Sequence, residues 1–493
     1  MDMAAMDMAV LRRVVAVSII SLCPIGDGFA KSEQNNFEPS VGVDILFTDN
    51  RDRTASNAKN GQVTTFNLGA DLEITGSQNS FTMEYIGRQL IDHQDSDRNS
   101  FYNELQLDNT FRLPDSGLEF GLHGSIDNLA DELDTDATTD IFSGTTIESK
   151  SLSTDVNFSS NPRKRVKLEA FAELELVRNE DTIADNNNVD SRFNITNGSA
   201  EKQYFGELDY SYEQSNSAAS SSSDKNVVQE LYAEFGLQPK DHWSPLFRYS
   251  NENLSSNSAE SAESNYLGAG TRYFLDKKSY LELTYNIPND RETNDNYVGG
   301  AINMEASART KLYVEYSRRF FGDAYELEFT HQSRRLKNNI SYTEEPTSFN
   351  RKLLVGGNES NQLSLLKELE WTSTLDLKRG FVEFSARSQN TKNIEDGSTN
   401  TEFDSVGTTI EWQHKLSRSM TLTNTFDYDK YDFFGSANPD KTDHYRIFKS
   451  LLEQTFNNRV TAKYTLEYSN RDSSEIVDNY DELRVSFNLN KHF

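Results

Sequence analysis

Residues 460–468 read Val-Thr-Ala-Lys-Tyr-Thr-Leu-Glu-Tyr, and residues 483–493 read Leu-Arg-Val-Ser-Phe-Asn-Leu-Asn-Lys-His-Phe. In the first stretch Val460, Ala462, Tyr464, Leu466 and Tyr468 share one parity, and Thr461, Lys463, Thr465 and Glu467 share the other. In the second, Leu483, Val485, Phe487, Leu489 and Phe493 oppose Arg484, Ser486, Asn488 and Asn490. An extended strand sends successive side chains to opposite faces, so each stretch gives one apolar and one polar face. A helix would need apolar residues at i, i+3, i+4 and i+7 together, and neither stretch has the i+3 member.

The same period recurs toward the N-terminus. Val166, Leu168, Ala170, Ala172 and Leu174 oppose Lys167, Glu169, Glu173 and Glu175. Phe81, Met83 and Tyr85 oppose Thr82 and Glu84; Tyr204, Leu208 and Tyr210 oppose Glu207 and Asp209; Tyr325, Leu327 and Phe329 oppose Glu326 and Glu328. Alternation alone also suits a soluble sandwich, so the connections decide. Short turns such as 75–78, 114–117, 160–163, 238–241, 275–278, 377–380 and 456–459 alternate with long polar stretches. The latter include 49–61, 91–99, 129–147, 179–189, 214–225, 251–262, 345–361, 389–401, 429–441 and 469–479. Short turns on one side and long loops on the other are the plan of an outer-membrane barrel. The expected fold is therefore all-β: a closed antiparallel transmembrane barrel of about 24 strands (range 18–26), with short periplasmic turns and long outer loops. Its weakest point is 318–323, where an outer loop is required and only a tight turn is written.

Composition agrees once the solvent is chosen. The chain of 493 residues is 35% hydrophobic and 26% charged, with a formal net charge of −29. No stretch beyond the N-terminus approaches the roughly 20 apolar residues of a spanning helix, whereas a spanning strand needs about 10 residues with every second one apolar. The 22 Tyr and 30 Phe suit interfacial girdles. At the N-terminus, Arg12 and Arg13 precede the apolar run 14–20, and Gly28-Phe29-Ala30 offers a cleavage site. The expected organisation is a signal peptide at 1–30, a periplasmic segment at 31–39 and a barrel at 40–493. Leu22 before Cys23 is too bulky for lipidation. Cleavage would remove the single Cys and leave a formal charge of −28, which disfavours nucleic-acid partners.

Charged residues of the polar parity are candidates for the lumen wall: Glu84, Arg88, Glu173, Glu207, Asp209, Glu326, Glu328, Glu383, Arg387, Lys463, Glu467 and Arg484. Their bland role is cross-strand pairing; their functional role is to line a wet path, with Phe171, Phe205 and Tyr313 placed to stack on sugar faces. The acidic stretch Asp131, Glu132, Asp134, Asp136 and Asp140 lacks the ordered spacing of a calcium loop and reads as solvated. No Gly-x-Ser-x-Gly elbow and no metal-ligand spacing at His123, His331 or His414 occurs, so neither an enzyme nor a cofactor is expected. Leu489 and the terminal Phe493 match the aromatic-ended last strand that barrel-insertion machinery reads.

One segment is more specific. Ser317-Arg318-Arg319-Phe320-Phe321-Gly322-Asp323-Ala324-Tyr325, followed by Phe329-Thr330-His331, Arg334-Arg335 and Ile340–Glu345, resembles the PEP-CTERM-system-associated outer-membrane barrel family. That family is similar to the barrels that accompany exopolysaccharide export in Gram-negative bacteria. The resemblance, with Arg318, Arg319, Phe320, Phe321, Gly322 and Asp323 as its signature, implies an outer-membrane role beside polysaccharide synthesis and protein sorting, and the expected function is a passive conduit for a hydrophilic polymer in exopolysaccharide export. The expected partners are outer-membrane lipid, lipopolysaccharide and the barrel-insertion machinery, to which the resemblance adds polysaccharide and periplasmic export components. The alternatives are a general small-solute porin, or a sealed barrel that anchors surface polymer.

Overall fold

A computed structural model of the chain describes residues 34–493 apart from 131–140, 143–145, 181–184, 219–222, 238–241, 258–260, 290–294, 348–363, 394–401, 435–439 and residues 202, 277 and 458. The proposed signal peptide and the acidic stretch 131–140 lie outside the described residues. From β1 (Gln34–Thr48) to β24 (Tyr480–His492) the chain forms 24 strands in one sheet, each antiparallel to the next. β1 also pairs with β24, from Ser40 opposite His492 to Thr48 opposite Arg484. The sheet therefore closes on itself as the alternation predicts. Closure matters because hydrocarbon offers no partner for the N–H and C=O groups of a free edge.

The seam explains where the ladder starts. β1 begins at Gln34, earlier than the expected start near 40, because Gln34 to Pro39 pair with Thr75 to Ala70 of β2 (Gly61–Thr75). On its other side β1 has no ladder partner before Ser40, so Pro39 sits where no N–H is required. The carbonyl of Pro39 accepts the backbone N–H of Phe493 at 3.0 Å, which binds the C-terminal residue to the start of the seam.

Apolar side chains of the expected parity point away from the lumen. Leu283 is 58% exposed, Phe247 62% and Leu267 63%, an arrangement a water-soluble protein would not tolerate over a whole surface. The opposite face carries Glu282, Thr284 and Asn286, nearly fully buried. An outer-membrane location accounts for this inversion, with lipid as the solvent of the apolar face.

Some outer loops are shorter than expected, while the connection 49–60 has the expected extent. The predicted loop 214–225 is mostly strand, because β9 (Tyr204–Ala218) and β10 (Ser223–Leu237) pair from Leu237 opposite Tyr204 to Ser223 opposite Ala218. Likewise β21 (Met420–Phe434), and β22 (Lys441–Phe456) by one residue, extend into 429–441, and β23 (Val460–Ser473) extends into 469–479. Polar residues can continue a ladder above the hydrocarbon, where alternation no longer marks the strand. The tight turn at 318–323 is real: β15 (Thr310–Arg319) passes to β16 (Gly322–Gln332) through Phe320 and Phe321 alone, with Gly322 at φ 109°. That left-handed region costs glycine little and other residues more.

Candidate lumen site

The twelve expected lumen residues lie on the buried-polar side of the wall but do not converge. Arg88 pairs with Glu104, and Arg387 with Asp429 at 2.7 Å. Lys463 faces Glu453 at 3.6 Å, and Glu467 faces Lys449 at 3.8 Å. Asn194 donates to both Glu207 and Asp209, at 3.1 and 3.0 Å, and Glu383 accepts from Thr374 at 2.9 Å. Glu84 stands opposite Asp71, and Glu173 opposite Asp155 and Asp190. Glu326 stands opposite Glu315, and Glu328 opposite Tyr313. Arg484 donates to Glu482 at 2.5 Å, and Glu482 also takes Thr48 at 2.6 Å and Arg53 at 3.0 Å across the seam. These residues are distributed around the wall rather than gathered at one point.

The dense cluster lies elsewhere, between β10 and β16. Arg248 on β11 (Trp243–Ser256) and Arg272 on β12 (Ala262–Phe274) share Glu234 of β10 and Glu282 of β13 (Tyr280–Pro288). Arg272 reaches Glu234 at 2.6 Å and, through Nε, Glu282 at 2.9 Å; Arg248 meets Glu234 at 3.2 Å. Their side chains are at most 10% exposed. The guanidinium of Arg272 also lies 4.0 Å from the centroid of Tyr280 and 4.5 Å from that of Phe205. Charges this far from water require such full pairing, since desolvation of each ion costs several kcal/mol. Phe205 and Tyr313, expected to stack on sugars, are engaged instead: Phe205 beneath Arg272 and beside Phe274, Tyr313 by donating to Glu315.

The geometry reveals how the wall is shaped. Arg248 reaches Glu315 on β15 at 3.5 Å, four strands away. Arg319 at the end of β15 binds Glu252 of β11, Nε to Oε1 at 3.1 Å, and Glu230 of β10. Four or five strands span about 19–24 Å of sheet at ordinary spacing, beyond the combined reach of arginine and glutamate. The wall between β10 and β15 must therefore bend sharply inward on itself. Small residues permit this. Gly268 of β12 and Gly299 of β14 (Tyr297–Ser307) lie on the inner face, where an added Cβ would collide with Asn286 or Thr284. A bulge between Met304 and Ser307 adds local twist.

The turn of the sequence signature closes this corner. Phe320 packs against the buried pair Val228 of β10 and Leu254 of β11, which Ala262 of β12 also covers, while its ring meets Phe321 edge-on at 5.2 Å. Arg319 and Phe320 thus carry the tip of the β15–β16 hairpin across the inner surface. Arg318 stays on the other face, opposite Asp323, and Tyr316 donates to Asp323 at 3.0 Å.

Sequence reasoning missed Glu230, Glu234, Arg248, Glu252, Arg272 and Glu282. Glycine, proline and serine interrupt β10, β11 and β12, and β13 has only 9 residues, so the alternation is faint. It also missed a second arrangement, in which His123 of β5 (Leu118–Ala130) bridges Asp108 at 2.8 Å and Asp155 at 2.9 Å. These partners are 15 and 32 residues distant and meet only through strand register. Among the described residues no group of three or more His, Cys, Asp or Glu is arranged to hold a metal ion.

No family model and no curated protein matches the chain. The resemblance of 317–345 therefore rests on those residues alone. Among solved structures the chain is similar in outline to the siderophore receptor PirA from Pseudomonas aeruginosa, with 12% identity over 94% of this chain and 81% of that one, at a TM-score of 0.39. It is likewise similar to the FrpB iron transporter from Neisseria meningitidis, with 9% identity over 94% and 82% and a TM-score of 0.49. The ferric citrate transporter FecA aligns at 11% identity over 93% and 79%, with a TM-score of 0.44. Likeness at this level concerns architecture. These neighbours are siderophore and iron receptors, so the expected exopolysaccharide conduit and the general porin are corrected to the extent that neither kind of protein is what the chain resembles in outline. The inner face is not uniform: Glu234, Arg248, Arg272 and Glu282 are buried and paired, whereas Arg387, Lys463 and Glu453 keep 41–49% of their side-chain surface exposed.

Proposed function

We propose that this protein is an outer-membrane transporter for a discrete hydrophilic ligand, admitted past the inward-leaning β15–β16 hairpin. The observation that carries this reading is the bridge from Arg319 to Glu252 and Glu230, which ties the hairpin tip to strands four and five places away. A hairpin held by charge pairs and one phenylalanine contact has two arrangements, docked and released. Ligand that replaces those contacts shifts the balance toward release. Transport of small polar cargo then follows from the charged inner face and not from a fixed open bore.

The test is electrical and chemical. Purified wild-type barrel in planar bilayers should show low, steady conductance, and Arg319→Ala with Phe320→Ala should raise it severalfold while the folded band on unheated gels persists. Uptake by a deletion strain, assayed with ferric siderophores and with neutral sugars of similar mass, distinguishes cargo classes. Equal conductance of variant and wild type would refute the hairpin's role. Unchanged uptake of every small polar probe would refute transport itself.

A further inference from the structure

The two rims of the barrel differ in charge in a way the overall composition conceals. The short turns leave the even-numbered strands, and they are rich in cations: 160–165 is Ser-Asn-Pro-Arg-Lys-Arg, 333–335 is Ser-Arg-Arg and 378–379 is Lys-Arg. Arg309, Arg418 and Arg459 each supply another, and all these bases are exposed. The acids described in the same turns are Asp115, Glu201 and Asp276. At the opposite rim the described loops mix signs, with Asp49, Asp52, Asp95, Asp97, Glu475 and Asp478 beside Arg51, Arg53, Lys59 and Arg98, and the whole chain carries −29. A strongly acidic molecule has thus concentrated cations on one edge. Lys278 is held by Glu305 at 2.8 Å, whereas Arg334, Arg335, Lys378 and Arg379 form no ion pair among the described residues.

Their height is fixed by their neighbours. Leu275, Leu377, Leu416 and Phe456 are 40–44% exposed and stand at or just past the strand ends, within three residues of Lys278, Lys378, Arg418 and Arg459. Exposed apolar side chains mark the hydrocarbon boundary, so the cations begin the next layer, at the level of lipid head groups. They also recur from the turn after β6 (Thr146–Ser159) to the turn after β22, most of the way round the circumference. A docked protein covers one side of a barrel; lipid surrounds it. We propose that this basic collar binds the phosphodiester groups of anionic phospholipid in the periplasmic leaflet and so fixes the depth of the barrel in the membrane.

The full chain, reconstituted in phosphatidylethanolamine vesicles with spin-labelled phosphatidylglycerol or phosphatidylethanolamine as probe, gives the motionally restricted fraction of each lipid. Wild type should favour phosphatidylglycerol about threefold to fivefold, the effect of roughly one cation beside one anionic head group. The preference should fall with added salt. R334Q, R335Q, K378Q and R379Q together should bring it close to unity while the barrel remains folded on unheated gels. Equal retention of both lipids by wild type overturns the proposal, as does a folded quadruple variant with undiminished preference. Retention of soluble polyglutamate without any lipid preference would also overturn it, in favour of an acidic periplasmic protein.

Discussion

Glu282 shows what a single side chain does in this wall. Its carboxylate is fully shielded and serves both Arg248 and Arg272. Glu282→Ala would leave two buried guanidinium groups dependent on Glu234 and Glu315, and loss of a buried ionic partner costs about 3–5 kcal/mol. Urea unfolding of the detergent-folded barrel should shift accordingly, while Glu282→Gln, which keeps the hydrogen-bond acceptor, should lose less. Asp276 behaves differently because it lies in a turn between strands. The backbone N–H groups of Lys278 and Ser279 donate to its Oδ1 at 2.7 and 2.8 Å, and these bonds hold its carboxyl below the ordinary range. A depressed folded value means the turn's stabilisation is present above the unfolded Asp pKa and lost as pH falls through the lower folded one. Amide exchange at Lys278 and Ser279 should therefore accelerate only in strong acid, and Asp276→Ala should remove that pH dependence. In the outer loop 49–60, burial alone would raise Asp52. The hydrogen bond from Arg51 and the charges of Arg51, Arg98 and Lys59 more than offset this and keep it low.

Among elements, β13 exposes the division of labour between faces. Leu281, Leu283, Tyr285 and Ile287 point outward, and Glu282, Thr284 and Asn286 point inward. A slip of one residue would exchange the two sets, so lipid on one side and the ion network on the other specify the register. Leu283 lies at the middle of this strand, and Leu283→Arg should cost about 2–4 kcal/mol, the penalty of a cation at the bilayer midplane. Reversible unfolding in lipid vesicles measures it; a cost near zero would place β13 outside the hydrocarbon. The alternation of β7 (Val166–Asn179), β23 and β24 was legible in sequence because long apolar side chains mark one parity. That of β12 was not, because Gly268 and Gly270 occupy inner positions to let the wall bend.

At the scale of the molecule, closure depends on the pairing of residues more than 430 positions apart. Thr48 donates to Glu482, and Leu483 N–H donates to Asp49, which adds side-chain bonds to the backbone seam. Phe493 lies at the other end of this seam, exposed to 55% with its N–H on Pro39. Phe493→Asp should lower the fraction of chain that reaches a heat-modifiable, protease-resistant state in the outer membrane, with the remainder in the periplasm. Normal assembly of this variant would show that the terminal aromatic is dispensable.

Local physics alone determined the strands, their facing, their even number and the need to close. Side-chain parity is a property of consecutive residues, and hydrocarbon leaves a half-polar ribbon one way to satisfy its backbone. The tight turn at 318–323 was also written locally, in Gly322 and the absence of a polar loop. Only tertiary structure decided which charges meet. Arg319 finds Glu252 and Glu230 because the wall folds back on itself, and Arg248 finds Glu315 for the same reason. Those contacts depend on curvature summed over several strands, and no stretch of consecutive residues encodes that sum.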